Sequence, residues 1–171
     1  NNAGVMLLGR VTELTPERID AMIDINLRGV INGTQLALER FRAPGVGKIV
    51  NTASTAGEWG IRGASVYSAT KFGVIGFSQA VRQELRGDGE PIEISVLIPG
   101  IVNTRLTRGV PHAKTPTAEP EDIAKVALKA LNGKRFIYHA PPIVGPVIRT
   151  FDMLPRAVNA RLQRALGFQD P

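Results

Sequence analysis

Tyr67 and Lys71 are the two residues whose types and spacing most directly suggest catalysis. They stand four positions apart in a segment with helical periodicity, so both side chains project from one face of the helix. A tyrosine has a pKa of about 10 in water, which is too high for a proton carrier at neutral pH. A nearby ammonium group would stabilise the phenolate and lower that pKa. Taken alone, such pairs are more often solvated surface neighbours.

A hydroxyl and an amide stand where they could assist this pair. Ser54 follows a short β-rich run, and open α/β sheets bind ligands at the carboxyl ends of their strands. We therefore expect the Ser54 hydroxyl to hold a substrate oxygen beside Tyr67. Asn26 lies between Ile25 and Leu27 on a largely apolar helix, where a buried amide needs a backbone or water partner. A helix-bending asparagine is the plainer interpretation, and the two are compatible.

The spacing of apolar side chains predicts the elements that position these residues. Helices and strands are expected over residues 16–42, 48–53, 65–85, 92–98, 120–131 and 135–139. Thr15 is the predicted N-cap of the first helix, with Pro16 at its first position. Residues 101–117 have no clear period and are predicted to form a mobile lid that orders when cofactor and substrate bind. Helices between apolar, non-alternating strands indicate a doubly wound α/β fold with a parallel sheet.

Composition limits the classes of function. The chain has 171 residues, which suits one domain, and its lack of cysteine excludes disulfides and thiolate metal sites. His112 and His139 have no acidic cluster near them in sequence, so we interpret them as surface or packing residues and expect no metal. The net charge of +6 comes from scattered Lys and Arg, which argues against a nucleic-acid partner. Without a long apolar run or a secretory signal, the protein is expected to be soluble and cytoplasmic.

Several further motifs occur in one order along the chain. They are Asn1-Asn2-Ala3-Gly4, Asn26, Asn51-Thr52-Ala53-Ser54, Tyr67-Ser68-Ala69-Thr70-Lys71 and Pro99-Gly100-Ile101-Val102-Asn103-Thr104, with a 13-residue step from Ser54 to Tyr67. In combination they resemble the short-chain dehydrogenase/reductase family over residues 1–138. The resemblance implies a single Rossmann-type domain and an oxidoreductase that interconverts a carbonyl and an alcohol with NAD or NADP.

The resemblance also implies a role for each matching residue. Tyr67 would be the general acid in reduction and the base in oxidation, and Ser54 would hydrogen-bond the reacting oxygen. Lys71 would bind the nicotinamide ribose and lower the Tyr67 pKa, while Asn26 would hold a water in the proton relay. Val102 and Thr104 would hold the nicotinamide carboxamide. The full set of implied cofactor contacts is Asn2, Ala3, Gly4, Tyr67, Lys71, Pro99, Gly100, Val102 and Thr104.

One family motif does not occur in the chain. The Gly-x-x-x-Gly-x-Gly loop, which binds the cofactor pyrophosphate, is absent. The resemblance places it upstream of Asn1, so we expect a functional protein longer by about 80 residues, at roughly 30 residues per βαβ unit. The determinant of NAD against NADP would lie there. Without that part, the strand at residues 48–53 would expose an unpaired edge. The alternative function is a catalytically silent binding or regulatory module that keeps the fold.

Residues 141–171 are expected to form an amphipathic tail beyond a domain of residues 1–140. Apolar residues share one helical face with arginines opposite, and Pro155 should split the run into two helices. We favour packing of this face on the domain or on a partner subunit over contact with an anionic membrane surface.

Two further features concern partners. Gly73 and Gly76 within one helix suggest close helix packing, for which the resemblance implies a homodimer or homotetramer and packing inside one subunit is the alternative. Trp59, Ile61 and Val110 stand in segments that should flank the pocket. They suggest a bulky apolar substrate such as a steroid, a retinoid or an acyl compound.

Overall fold

The computed structural model describes residues 1–107, 117–152, 158 and 161. Its helices and strands are α1 (Pro16–Ile23), α2 (Gly29–Arg42), β1 (Gly47–Thr52), α3 (Ser65–Gly87), β2 (Ile92–Pro99), α4 (Pro120–Asn132), β3 (Ile137–Ala140) and α5 (Val144–Asp152). The predicted elements are found, with most ends shifted by one or two residues. The central part of the predicted lid, residues 108–116, and Pro155 lie outside the described residues.

The three strands form one parallel sheet in the order β1-β2-β3. Ile49 of β1 lies opposite Ile94 of β2, and Val96 of β2 lies opposite Ile137 of β3. The central strand β2 is buried on both faces from Ile94 to Ile98, which explains why these residues, apart from Ser95, are apolar without alternation. The predicted doubly wound α/β fold is therefore confirmed.

Helices cover both faces of this sheet. On one face, Val30 of α2 and Val74 of α3 pack against Val96 and Ile98 of β2. On the other face, Val126 of α4 packs against Leu97 of β2 and Ala140 of β3. Each fully buried Val, Ile or Leu side chain contributes roughly 1.5–3 kcal/mol. This two-sided core fixes the carboxyl ends of the strands, where the candidate site lies.

The free side of β1 is paired in part by the start of the chain. The backbone nitrogen of Asn1 donates to the Val50 carbonyl at 2.8 Å, and the Thr52 nitrogen donates to the Asn1 carbonyl at 2.9 Å. Asn1 thus lies beside β1 as a parallel neighbour would, and the edge that we expected to be unpaired is covered at this point. The pairing leads residues 2–4 to the carboxyl end of the sheet.

The first helical segment is not the continuous α-helix that its periodicity predicted. Residues Asp24–Arg28 form a π-helical turn between α1 and α2. Such turns insert an extra residue into a helix and are frequent at functional sites. Asn26 stands at the middle of this turn and is fully buried. The turn agrees with the interpretation of Asn26 as a helix-bending residue.

The tail begins against the third strand. Gly145 in the first turn of α5 is buried, and a Cβ added there would lie 2.5 Å from Nδ1 of His139. A Cβ added to Gly100 would lie 3.4 Å from the Val144 side chain. The start of α5 therefore packs on this chain's own domain, and the prediction for the rest of the tail stays a prediction. No helix in the described part of the chain has the length and apolarity to cross a membrane.

Candidate active site

The structure brings the predicted site residues to one cavity at the carboxyl end of the sheet. The cavity has a volume of about 740 Å³. It is lined by ten of them: Asn2, Ala3, Gly4, Ser54, Tyr67, Lys71, Pro99, Gly100, Val102 and Thr104. Asn26 lies behind the lining, in contact with the segment that follows Gly4. Residues as far apart in the sequence as Asn2 and Thr104 thus line one cavity.

Tyr67 lies in the first turn of α3, with 6% of its surface exposed. Burial raises the pKa of its phenol, and a hydrogen bond with the Ser54 side chain acts in the opposite direction. The Lys71 ammonium nitrogen lies 5.7 Å from the centre of the tyrosine ring. Burial outweighs the effect of Ser54, so the Tyr67 pKa lies above its ordinary value, and a lowering of that pKa by Lys71 stays a prediction.

Lys71 stands one helical turn further along α3, with 4% of its surface exposed. Its Nζ donates to the Thr52 carbonyl at 3.1 Å, and burial lowers its pKa to about 8. An ammonium group has three N–H donors. Among the described residues, the Thr52 carbonyl is its one protein acceptor. Lys71 therefore lines the cavity with donors left for the oxygens of a bound molecule.

Asn26 links the segment that follows Gly4 to helix α3 through hydrogen bonds. Its Oδ1 accepts from the Val5 nitrogen at 2.8 Å, and its Nδ2 donates to the Val5 carbonyl at 2.8 Å and to Thr70 Oγ1 at 3.2 Å. The Thr70 hydroxyl donates in turn to the Tyr67 carbonyl at 2.7 Å. The expected backbone partner of Asn26 is thus present. Its role as a holder of water stays a prediction, for which the side chain retains one oxygen lone pair.

Two glycines allow the backbone to approach the site closely. A Cβ added to Gly57 would lie 2.6 Å from the Lys71 carbonyl oxygen, which no real side chain tolerates. A Cβ added to Gly4 would lie 3.4 Å from Asn26 Oδ1 and 3.7 Å from Lys71 Nζ. Gly57 and Thr70 were not predicted as site residues. A glycine in a turn and a threonine in a helix have no sequence pattern that indicates a functional site.

Apolar side chains line the cavity where no cofactor contact is implied. They include Met6, Leu8, Ile61, Ala64 and Leu106. Ile61 was expected there, whereas Trp59 is not part of the lining and Val110 lies outside the described residues. Met6 and Leu8 could not be predicted as lining residues, because they lie in a loop without periodicity. Lys71 is the one charged side chain of the lining in the described chain.

His139 has an acidic partner that its neighbours in the sequence did not indicate. Its Nε2 lies 3.0 Å from both carboxylate oxygens of Glu58, which stands 81 residues earlier in the sequence. Sequence separation hid this pair, because the two residues meet only when β3 lies beside β2. His112 lies outside the described residues.

A parallel sheet with helices on both faces defines the doubly wound α/β class of proteins, and comparison with known proteins identifies the family. The profile of the short chain dehydrogenase family matches residues 1–115. This chain belongs to the short chain dehydrogenase family. The resemblance of its motifs to that family is therefore confirmed.

Relatives with curated names are oxidoreductases by name. The oxidoreductase SadH of Mycobacterium tuberculosis is 33% identical, in an alignment that covers 98% of this chain and 64% of the relative. An uncharacterized oxidoreductase of Staphylococcus aureus is 31% identical, over 86% of this chain and 63% of the relative. The chain thus spans less than two thirds of the length of these relatives.

Solved structures share the fold at lower identity. A short chain dehydrogenase from Burkholderia cenocepacia in complex with NADP superposes with a TM-score of 0.82 at 23% identity, covering 95% of this chain and 66% of that one. A short chain dehydrogenase/reductase from Burkholderia phymatum in complex with NAD gives a TM-score of 0.78 at 23% identity, covering 99% and 67%. These similarities confirm the Rossmann-type architecture.

Proposed function

We propose that the protein is an NAD- or NADP-dependent oxidoreductase that interconverts a carbonyl compound and its alcohol, with Tyr67 as general acid and base. The observation that carries this proposal is the meeting of the Tyr67 phenol, the Ser54 hydroxyl and the Lys71 ammonium in one cavity. These are a proton donor, a hydrogen-bonding group for the substrate oxygen and a cation that stabilises the phenolate.

In the proposed reaction, the side chains of Tyr67, Ser54 and Lys71 transfer the proton and control its position. In reduction, Tyr67 donates its proton to the carbonyl oxygen, which the Ser54 hydroxyl holds in place. In oxidation, the Tyr67 phenolate accepts the proton of the alcohol. Lys71 favours the phenolate in both directions because its ammonium lies near the ring. A bound nicotinamide supplies or accepts the hydride.

The residues of the cavity fit such a cofactor. The N–H donors of Lys71 that have no acceptor in the described chain suit the hydroxyls of a ribose. The Val102 carbonyl already accepts from the Thr107 hydroxyl, so a carboxamide contact at Val102 would use its N–H. Gly4 keeps the floor beside Lys71 Nζ open, because a side chain there would approach the ammonium. We therefore assign the predicted cofactor contacts to this cavity.

The apolar part of the lining favours a bulky, uncharged substrate. Met6, Leu8 and Ile61 offer no partner for a carboxylate or a phosphate. A charged substrate group would lose its hydration there without compensation. We propose a carbonyl carried on an apolar body, such as a steroid, a retinoid or an acyl compound.

We further propose that the protein forms a homodimer or homotetramer in the cytoplasm. Phe72 of α3 is 45% exposed, and no described atom lies within 4 Å of a Cβ added to Gly76, one helical turn away. Gly73 is accounted for inside the subunit, since a Cβ there would lie 3.1 Å from Leu27. Light scattering on the full-length protein and on Phe72→Asp tests this. A larger assembly that Phe72→Asp dissociates is expected, and a monomeric natural protein would contradict it.

The activity is tested by a substrate panel on the full-length natural protein. Apolar ketones and aldehydes are compared with matched analogues that carry a carboxylate, and oxidation of NADH and NADPH is followed by absorbance. Turnover of the apolar compounds with a higher kcat/KM is expected. Cofactor binding without turnover of any carbonyl would instead favour the catalytically silent module.

A further inference from the structure

Glu58 and His139 form a partly buried pair that the proposed chemistry does not use. The His139 side chain is 12% exposed and the Glu58 side chain 21%, and both carboxylate oxygens lie 3.0 Å from Nε2. Neither residue lines the cavity. The far side of the imidazole is also filled, because Gly145 of α5 packs against Nδ1. The ring is therefore fixed with its Nε2–H donating to Glu58.

Glu58 ends the short turn that Ser54 begins. Ser54 precedes the 3-10 turn Thr55–Gly57, and its Oγ accepts from the Ala56 nitrogen at 3.2 Å. The Ser54 carbonyl accepts from the Gly57 nitrogen at 2.8 Å, and the Thr55 carbonyl accepts from the Glu58 nitrogen at 3.0 Å. These bonds make residues 54–58 one compact unit, so a displacement of Glu58 displaces Ser54.

The same turn contacts the catalytic helix. Gly57 lies directly against the backbone of Lys71, where even a methyl group would collide. The turn is thus held from one side by α3 and from the other by His139 of β3. Releasing the His139 side leaves the turn, and with it the Ser54 hydroxyl, free to move relative to Tyr67 across the cavity that both residues line.

We propose that Glu58 and His139 are positioning residues that hold the Ser54 hydroxyl against Tyr67. The effect on turnover rests on the proposed oxidoreductase function, whereas the effect on the Tyr67 phenol does not. The Ser54 hydrogen bond lowers the pKa of Tyr67, so its loss raises that pKa. A misplacement of about 1 Å in a catalytic constellation can lower turnover by about 10²-fold, and we expect a loss of at least about tenfold.

Four variants of the full-length protein test this. Glu58→Ala and His139→Phe each remove the contact, and the double variant tests whether the two act as one unit. Glu58→Gln restores a hydrogen-bond acceptor for His139 Nε2 without the charge. Two properties are measured: steady-state kcat with cofactor KM, and the ultraviolet titration of the Tyr67 phenol, identified by its disappearance in Tyr67→Phe.

Glu90→Ala is the matched control. The Glu90 side chain is also 21% exposed, and one of its carboxylate oxygens lies 3.0 Å from Arg42 Nη2. It stands just before β2, at the opposite end of the strands from the cavity. Glu90→Ala therefore removes a comparable contact and leaves the Ser54 turn unchanged.

The proposal expects a higher Tyr67 pKa and a tenfold lower kcat in Glu58→Ala and His139→Phe, with little change in cofactor KM. The double variant should be no worse than either single variant, Glu58→Gln should stay within about threefold of the natural protein, and Glu90→Ala should be normal. An unchanged Tyr67 titration in His139→Phe would overturn the proposal even if Glu58→Ala failed to fold. Effects that multiply in the double variant would also overturn it. An inactive natural protein whose phenol titration still shifts would refute the activity and leave the positioning role supported.

Discussion

Two polar clusters lie buried in this molecule, and they differ in how much of their hydrogen-bonding capacity the protein uses. In the first, the Asn51 amide bonds Asn1, Thr34 and Ser78 over 2.7–3.5 Å. Asn51, Thr34 and Ser78 are fully buried between α2, β1 and α3. We call Asn51, Thr34 and Ser78 the closed cluster; Asn1, which bonds to it, is exposed and lines the cavity. Its members satisfy one another, as buried polar groups must.

The second cluster comprises Ser54, Tyr67 and Lys71, which we call the open cluster. Its members are also largely buried, but they face the cavity. Burial raises the Tyr67 pKa and lowers the Lys71 pKa to about 8, so both groups are shifted toward their uncharged forms. Burial therefore has opposite consequences in the two places. The closed cluster should contribute to stability, and the open cluster retains capacity for chemistry.

The largest expected effect is that of Tyr67→Phe. The change keeps the ring and its packing but removes the hydroxyl that we propose as the proton donor, so turnover should fall by about 10²- to 10⁴-fold. Cofactor affinity and folding should change little. Ser78→Ala removes a hydroxyl from the closed cluster and should leave turnover normal. Steady-state rates of both variants test this prediction. Near-normal turnover in Tyr67→Phe would contradict the proposed mechanism.

Asn51→Ala should show the reverse pattern. It strips the Thr34 and Ser78 hydroxyls of a shared partner and leaves a cavity, which should cost about 2–4 kcal/mol of unfolding free energy. Turnover of the protein that remains folded should stay within about threefold of the natural rate. Chemical denaturation with parallel rate measurements tests this. Wild-type stability in Asn51→Ala would show that the closed cluster does not stabilise the fold.

Lys71→Met should weaken cofactor binding as well as turnover. Loss of a charge-assisted hydrogen bond costs about 1.5–3 kcal/mol, which corresponds to roughly a 10- to 100-fold rise in cofactor Kd. Lys48→Met is the control, because Lys48 Nζ donates to the Gly133 carbonyl at 2.7 Å and burial also lowers its pKa. Fluorescence titration gives both affinities. Equal cofactor affinity in Lys71→Met and the natural protein would refute the ribose contact.

The smallest expected effect is that of pH on cofactor affinity. The Lys71 ammonium loses its proton as pH rises through about 8, so cofactor Kd should rise between pH 7 and pH 9. The change should be less than about tenfold, because a bound cofactor itself favours the charged form. The same titration on Lys71→Met should be flat over this range. A pH dependence that persists in Lys71→Met would assign the effect to another group.

The open cluster could be predicted from the sequence because its residues are close in the chain or belong to ordered motifs. Tyr67 and Lys71 follow from helical spacing, and Ser54 follows from its place after an apolar strand. The periodicity that located the helices could not reveal the π-helical turn at Asn26, since one inserted residue barely changes the apolar pattern.

Contacts between distant elements could not be predicted. The pairs Glu58–His139 and Asn26–Val5 join residues 81 and 21 positions apart, and no local pattern brings them together. The closed cluster could not be predicted from the sequence either, because nothing distinguishes Thr34 and Ser78 from other polar residues of a helix. Its polar side chains are identified only when three elements pack on one another.

The most direct test of the central claim follows the hydrogen atoms. The full-length protein is given an apolar ketone with NADH or NADPH that carries deuterium at the transferred position of the nicotinamide, and the alcohol is analysed by mass spectrometry. The account predicts one deuterium on the carbinol carbon per cofactor oxidised, and loss of this product in Tyr67→Phe. Alcohol without deuterium, or undiminished labelled product in Tyr67→Phe, would contradict it.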